Sequence, residues 1–176
     1  PSNRCYFCKT ELFTVAREKL KELGVSAIVE GSHADDTGDH RPGFAAAKEK
    51  GVRSPLLEAG LGKAEIREYS RRLGLPNWDK PQAACLSSRF ATGTFINAQR
   101  LGKVEAAEKL LKDLGFRQVR ARYQEETVKI EIAPAELKAF GDDALRGKIV
   151  DGMKSLGFKK VLLDLEGYHR GAGRSV

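Results

Sequence analysis

ELFTVAREKLKELGVSAIVEGSHADDTGDHRPG, residues 11–43, contains the changes of pattern that decide the fold. Leu12, Phe13, Ala16, Leu20 and Leu23 recur at helical spacing, and Gly24 follows as a C-cap. Residues 26–30, SAIVE, form a short apolar run that reads as a buried parallel strand. The polar loop 31–43 comes next. In open α/β sheets, ligands bind in the loop beyond a strand's carboxyl end.

The alternation continues outward. Residues 44–50 read as a short helix and 53–57 as a second strand. Residues 63–73 are amphipathic through Ile66, Tyr69 and Leu73, closed by Gly74 with Pro76 beyond. Helices alternating with strands in this way predict an α/β layer built on a parallel sheet. Residues 79–93, DKPQAACLSSRFATG, have little periodicity and read as a loop.

From Asn97 the pattern changes. Asn97 is a candidate N-cap for a helix running to Leu114 and stopped by Gly115. Alternating strands follow near 118–123 and 127–132. In the first, Val119, Ala121 and Tyr123 face one way and Arg120 and Arg122 the other. A short helix from Pro134, another over 142–156 and a last strand over 158–165 complete a small α+β unit. The boundary is expected near Gly93, giving domains 1–93 and 94–176.

Composition narrows the partners. The 176 residues carry 31 basic and 24 acidic side chains, a net charge of +7, which favours anionic ligands such as nucleotides and phosphates. The basic residues are spread along the chain and no RNP1-type motif is present, which argues against nucleic acid. No run approaches the roughly 20 apolar residues of a membrane helix. No signal-peptide pattern is present, so the three cysteines point to a reducing, cytoplasmic setting. The chain begins at Pro1 and enters a helical pattern almost at once, so it reads as a piece of a longer protein.

Four constellations could carry chemistry. Cys5 and Cys8 form a Cys-x-x-Cys pair beside Arg4 and Lys9 at the start of the first helix. Helix dipole and basic neighbours there lower a thiol's pKa. With Cys85 the pair gives three thiolates, enough for a 4Fe–4S cluster with one open iron. Zinc with His33 or His40, or a redox pair acting alone, fits the spacing comparably. In the loop, Asp35, Asp36 and Asp39 suit Mg²⁺ or ribose hydroxyls, or form a solvated acidic turn. In CLSSRF, Ser87, Ser88 and Arg89 beside Cys85 make an anion cradle, or an ordinary connection. In VRARYQEE, Arg120 and Arg122 would be explained by an anionic ligand between them, or by a solvent-facing strand partnered by Glu125 or Glu126.

Taken together these motifs resemble a known family. PLLEAGLGKAEIREYSRRLGLPNWDKP resembles the distal half of the nucleotide-binding domain in the PP-loop pyrophosphatase superfamily, which is Rossmann-like. RCYFCKTELF, GSHADDTGDHRPG, ACLSSRFATG and VRARYQEE, in this order, resemble the LarE family of ATP-dependent sulfur transferases across essentially the whole chain. The resemblance implies an enzyme that uses ATP and Mg²⁺ to adenylylate a carboxylate of pyridinium-3,5-biscarboxylic acid mononucleotide. It then exchanges AMP for sulfur, in nickel-pincer nucleotide biosynthesis. It implies a 4Fe–4S cluster on Cys5, Cys8 and Cys85, fed by a sulfide source, or a Cys85 that gives up its own sulfur. Ser88 and Arg89 fall in the family's sulfur-donor loop, Asp36 and Asp39 in its acidic loop near the nucleotide. Arg120 and Arg122 resemble its phosphate-facing arginines. Family members assemble as homo-oligomers. The superfamily's SGGxDS phosphate-gripping motif is missing, so this chain is expected to be the distal part of such an enzyme and not to form AMP alone. A cluster-dependent tRNA thiolation enzyme and a non-enzymatic metal-binding module are the competing expectations.

Overall fold

The computed structural model describes residues 3–38, 42–81 and 83–169. The chain divides into two compact units, Pro1–Lys80 and Pro81–Val176. The division lies ahead of Gly93, because residues 84–90 pack on elements of the second unit.

The first unit holds α1 (Arg4–Leu23), α2 (Pro42–Glu49), α3 (Pro55–Glu58) and α4 (Lys63–Arg72). The helical spacing from Leu12 to Leu23 forms α1, and Gly24 ends it at φ 64, where its N–H donates to Leu20 O. Helix α1 packs on α2, with Phe13, Ala46 and Ala47 buried between them. At Gly43 a Cβ would come 2.8 Å from Lys9 Cδ, so a residue without a side chain admits this approach.

The expected parallel sheet is reduced here to a single parallel bridge, Val29 to Arg53. Its hydrogen bonds run from Glu30 N to Arg53 O and from Arg53 N to Ile28 O. The 53–57 strand does not form, because Pro55 at the first helical turn starts α3. No further strand flanks the bridge among the described residues, and Val29 stays 62% exposed. Without neighbours, neither segment can accumulate a ladder.

The second unit holds α5 (Ala98–Asp113), β1 (Val119–Gln124), β2 (Thr127–Ile132), α6 (Asp143–Ser155) and β3 (Lys160–Leu163). The sheet order is β1-β2-β3, with β1 and β2 antiparallel and β2 and β3 parallel across the α6 connection. Asn97 Oδ1 accepts from Arg100 N at 2.8 Å and caps α5, as its position foretells. Asp142 Oδ1 caps α6 through Ala144 N and Leu145 N. Strands β1 and β2 join through Glu125 and Glu126, with Glu125 at φ 56, a conformation glycine usually takes. The alternation of β1 and β2 sends Ala121, Val128, Ile130 and Ile132 into a core shared with Leu111 and Met153. Gly152 lets α6 approach Leu110 of α5, where a Cβ would clash at 2.5 Å. No helix of the described residues is long and apolar enough to cross a membrane.

Candidate functional site

Cys5 and Cys8 lie in the first two turns of α1, both exposed and unbridged. Their i, i+3 spacing puts both thiols on adjacent turns of one helix face. Lys9, the expected electrostatic neighbour, is turned to another partner. Its Nζ is 2.5 Å from Glu30 Oε2. Ser54 Oγ donates to the other oxygen at 3.1 Å, and Ser32 Oγ also bonds there. Burial works against the charged form of Glu30, but the hydrogen bonds from Lys9, Ser32 and Ser54 outweigh it and hold the carboxyl below the ordinary glutamate range.

Two of the acidic loop's three carboxylates lie among the described residues. Asp35 and Asp36 fall in a short 3-10 turn, Ala34–Asp36. Asp35 Oδ2 accepts from Lys63 N at 2.7 Å, at the start of α4. Asp36 is buried, and its Oδ2 accepts from His33 N at 3.3 Å, with His33 Nε2 at 3.5 Å. These carboxylates are engaged in holding the loop and the helix start. Asp39 and His40 lie outside the described residues.

Cys85 opens the CLSSRF stretch of the second unit. Residues Leu86–Arg89 form a 3-10 turn, with Cys85 at its N-cap position. The thiol is exposed, and its Sγ lies 3.0 Å from Ser87 Oγ. Ser88 folds back on the same residue: its N–H and its hydroxyl both donate to Cys85 O, at 3.0 and 2.8 Å. Phe90 closes the stretch by bridging Tyr123 of β1, with ring centroids 5.0 Å apart. The turn therefore docks against β1 instead of hanging as a free loop.

Arg89 does not form an outward cradle. It is buried, and its Nε and Nη2 donate to Glu108 Oε1 and Oε2 at 2.6 and 3.0 Å. Its Nη1 donates to Ala84 O, Cys85 O and Ser88 Oγ, at 3.0, 3.0 and 2.9 Å. Glu108 comes from α5 and also accepts from Ala121 N at 3.2 Å, so one carboxylate ties helix, strand and turn together.

Arg120 is buried and Arg122 part-buried, and the acid paired with Arg122 is Glu131. Arg122 donates from Nε and Nη2 to Glu131 Oε1 and Oε2, both at 2.9 Å, and from Nη1 to Ser88 O at 2.8 Å. Glu131 is only 1% exposed. Lys129 approaches it at 3.3 Å and pairs with Asp164 at 2.7 Å. The hydrogen bond from Lys129 holds Asp164 below the ordinary aspartate range, and the same bond raises Lys129. Arg120 Nη1 donates to Val119 O at 2.7 Å, and its guanidinium lies 4.8 Å from the Tyr168 ring. Burial first, and then the charge of Arg89, lowers its pKa.

Glu108 and Glu131 are the residues that sequence reasoning missed. The signal for Glu108 was an acid on the buried stripe of α5, between Val104 and Leu111. For Glu131 it was an acid directly across the hairpin from Arg120. The structure places Cys85, Ser88, Arg89, Arg120 and Arg122 in the second unit and Cys5, Cys8 and Asp36 in the first. Among the described residues, no group of three or more His, Cys, Asp or Glu side chains could hold a metal ion. Cys5, Cys8 and Cys85 are each exposed and unbridged, as a thiol that takes up a ligand must be.

These features describe an α/β protein with exposed, unbridged thiols, and its sequence is similar to that of a LarE-family synthase. It is 35% identical over 166 residues to the pyridinium-3,5-bisthiocarboxylic acid mononucleotide synthase of Lactiplantibacillus plantarum, covering 94% of this chain and 59% of the synthase. It is 45% identical over 171 residues to an uncharacterized protein of Synechocystis sp., covering 97% of this chain and 64% of that protein. An uncharacterized protein of Methanocaldococcus jannaschii is 30% identical over 165 residues, covering 94% and 64%. The chain thus spans about three fifths of the length of the curated relatives it matches. No family model matches it.

Proposed function

We propose that this chain is the sulfur-bearing part of an ATP-dependent sulfur transferase acting on a pyridinium carboxylate mononucleotide. The observation that carries this is Cys85: an exposed thiol on a turn tied down by two guanidinium–carboxylate pairs, one buried and one part-buried. A reactive sulfur must meet one carbon in one orientation, and a rigid support supplies that.

The substrate chemistry follows from the relative's product. A carboxylate is a poor electrophile. Adenylylation by ATP with Mg²⁺ releases pyrophosphate and leaves an acyl-adenylate. Sulfur then attacks the carbonyl carbon, the carbon–oxygen bond to AMP breaks, and a thiocarboxylate remains. Asp36 and Asp39 are assigned to the nucleotide end, within a PP-loop domain to which the first unit contributes its distal part. Homo-oligomeric assembly belongs to the same proposal.

Cys5, Cys8 and Cys85 would hold a 4Fe–4S cluster, which when bound supplies a sulfide on an iron the protein leaves open. The chain's own residues do the rest. Ser87 holds the Cys85 sulfur by a hydrogen bond, and Ser88 closes the turn onto the Cys85 carbonyl. Arg89 and Arg120 keep positive charge buried near the turn, since an arginine side chain does not deprotonate in a protein.

The test is anaerobic reconstitution of the full chain with iron and sulfide, followed by iron and acid-labile sulfide assays. About four irons per chain, lost in Cys85→Ala, is the expected result. One zinc per chain and no iron would overturn the cluster assignment. Cys85 found by mass spectrometry to have lost its sulfur after turnover would transfer the donor role to the cysteine itself.

A further inference from the structure

Two of the Cys85 turn's carbonyl anchors come from the core, and the second has no role in the chemistry above. Arg122 resembles a phosphate-facing residue by its place in the sequence, yet its donors are committed inward. Glu131 holds Nε and Nη2 in a fork at 2.9 Å on both arms, and Nη1 reaches Ser88 O at 2.8 Å. Ser88 in turn bonds Cys85 O through both its N–H and its hydroxyl. A continuous chain of hydrogen bonds therefore runs from a nearly inaccessible carboxylate to the residue carrying the sulfur.

We infer that Glu131 and Arg122 are positioning residues for Cys85, acting through the Ser88 carbonyl. This rests on Cys85 being the sulfur-bearing residue, but the test below reads the turn and not the reaction. Removing a carboxylate and a guanidinium from water is expensive, and apolar replacements of similar size are often no less stable. What an apolar pair cannot do is hold a carbonyl. A planar fork fixed on one side by Glu131 presents its remaining N–H in one direction only. Lys129, the strand partner of Arg122 and itself held by Asp164, lies 3.3 Å from the same Glu131 oxygen that accepts from Arg122 Nε. The Arg89–Glu108 pair grips the start of the turn at Ala84 O and Cys85 O, while Arg122 grips its end at Ser88 O. With both ends held, the turn cannot rotate about one anchor.

Hydrogen exchange on the full-length chain tests this at individual amides. In Glu131→Gln, the Ser88 and Phe90 amides should exchange at least tenfold faster, with the α6 amides unchanged. The double variant Arg122→Met/Glu131→Met removes both charges together and guards against an uncompensated buried ion. It should melt within a few degrees of the parent and still show the faster Ser88 exchange. Iodoacetamide labelling should then show a changed Cys85 rate, with Cys5 and Cys8 as unchanged internal standards. Parental Ser88 exchange in the double variant, or in both variants, would overturn the inference and leave the pair a packing feature. A failed iron assay with these results intact would remove the cluster and keep the clamp.

Discussion

The two units hold their cysteines by opposite means. In the first, Cys5 and Cys8 ride on a helix that forms from its own periodicity and is held by packing on α2, by the Lys9–Glu30 pair and by the Tyr6 hydroxyl donating to Glu49. Phe13 of this helix and Ala46 and Ala47 of α2 are the unit's buried apolar residues among those described, and Leu12 and Val15 of α1 stay exposed. In the second, Cys85 sits on a turn with no regular pattern, held by residues distant in sequence. Its core includes Leu111, Ile130, Ile132, Ile149 and Met153, all at most 1% exposed. The difference teaches that a thiol on a helix is placed by local rules, whereas one on a short turn needs a framework. That framework here is a sheet edge, a capped helix and two buried ion pairs.

Mutations can break or sharpen the contrast. The largest effect is expected at Glu108. Glu108→Ala leaves the Arg89 guanidinium buried without its carboxylate and should cost about 3–5 kcal/mol, read as a lower denaturation midpoint of the second unit. A cost below 1 kcal/mol would show that the turn is not tied through α5. Next comes the core itself. Ile130→Ala should cost roughly 2–5 kcal/mol by loss of burial and cavity formation, while Leu12→Ala in the first unit should stay within about 0.5 kcal/mol. Similar costs at the two positions would erase the distinction. A smaller effect is expected at the α5 cap: Asn97→Ala should cost about 1 kcal/mol and raise exchange of the Arg100 amide.

The smallest effect belongs to the Lys9–Glu30 pair. Lys9 is partly exposed, so Glu30→Gln should cost no more than about 1 kcal/mol. Its sign with pH is fixed by the lowered carboxyl. A depressed folded pKa contributes stability that is full above the ordinary glutamate value of about 4.3 and is lost as pH falls through the folded value. Acid titration of thermal unfolding should therefore show the parent losing its advantage over Glu30→Gln below about pH 4. An advantage that grows as pH falls would contradict the assigned bond.

Local patterns were legible where one element sufficed. The spacing of Leu12, Phe13, Ala16 and Leu20 specified α1, Gly24 its end, Asn97 the start of α5, and the alternation from Val119 to Tyr123 a strand. The order of motifs around Cys5, Cys8 and Cys85 carried the resemblance to the LarE family, and the chain is similar to a synthase of that family over 94% of its length. What the sequence could not carry was any feature set by pairing across the fold. SAIVE has the composition of a buried strand, yet with a single bridge to Arg53 it remains exposed. Arg89 reads as part of an anion cradle with Ser87 and Ser88, and Arg122 with Arg120 as one wall of an anion site, whereas the tertiary structure pairs Arg89 with Glu108 and Arg122 with Glu131. Periodicity reports which face an element buries, because that is a local property of φ and ψ. The partner of a buried charge depends on which distant element arrives beside it, and only the packed fold decides that.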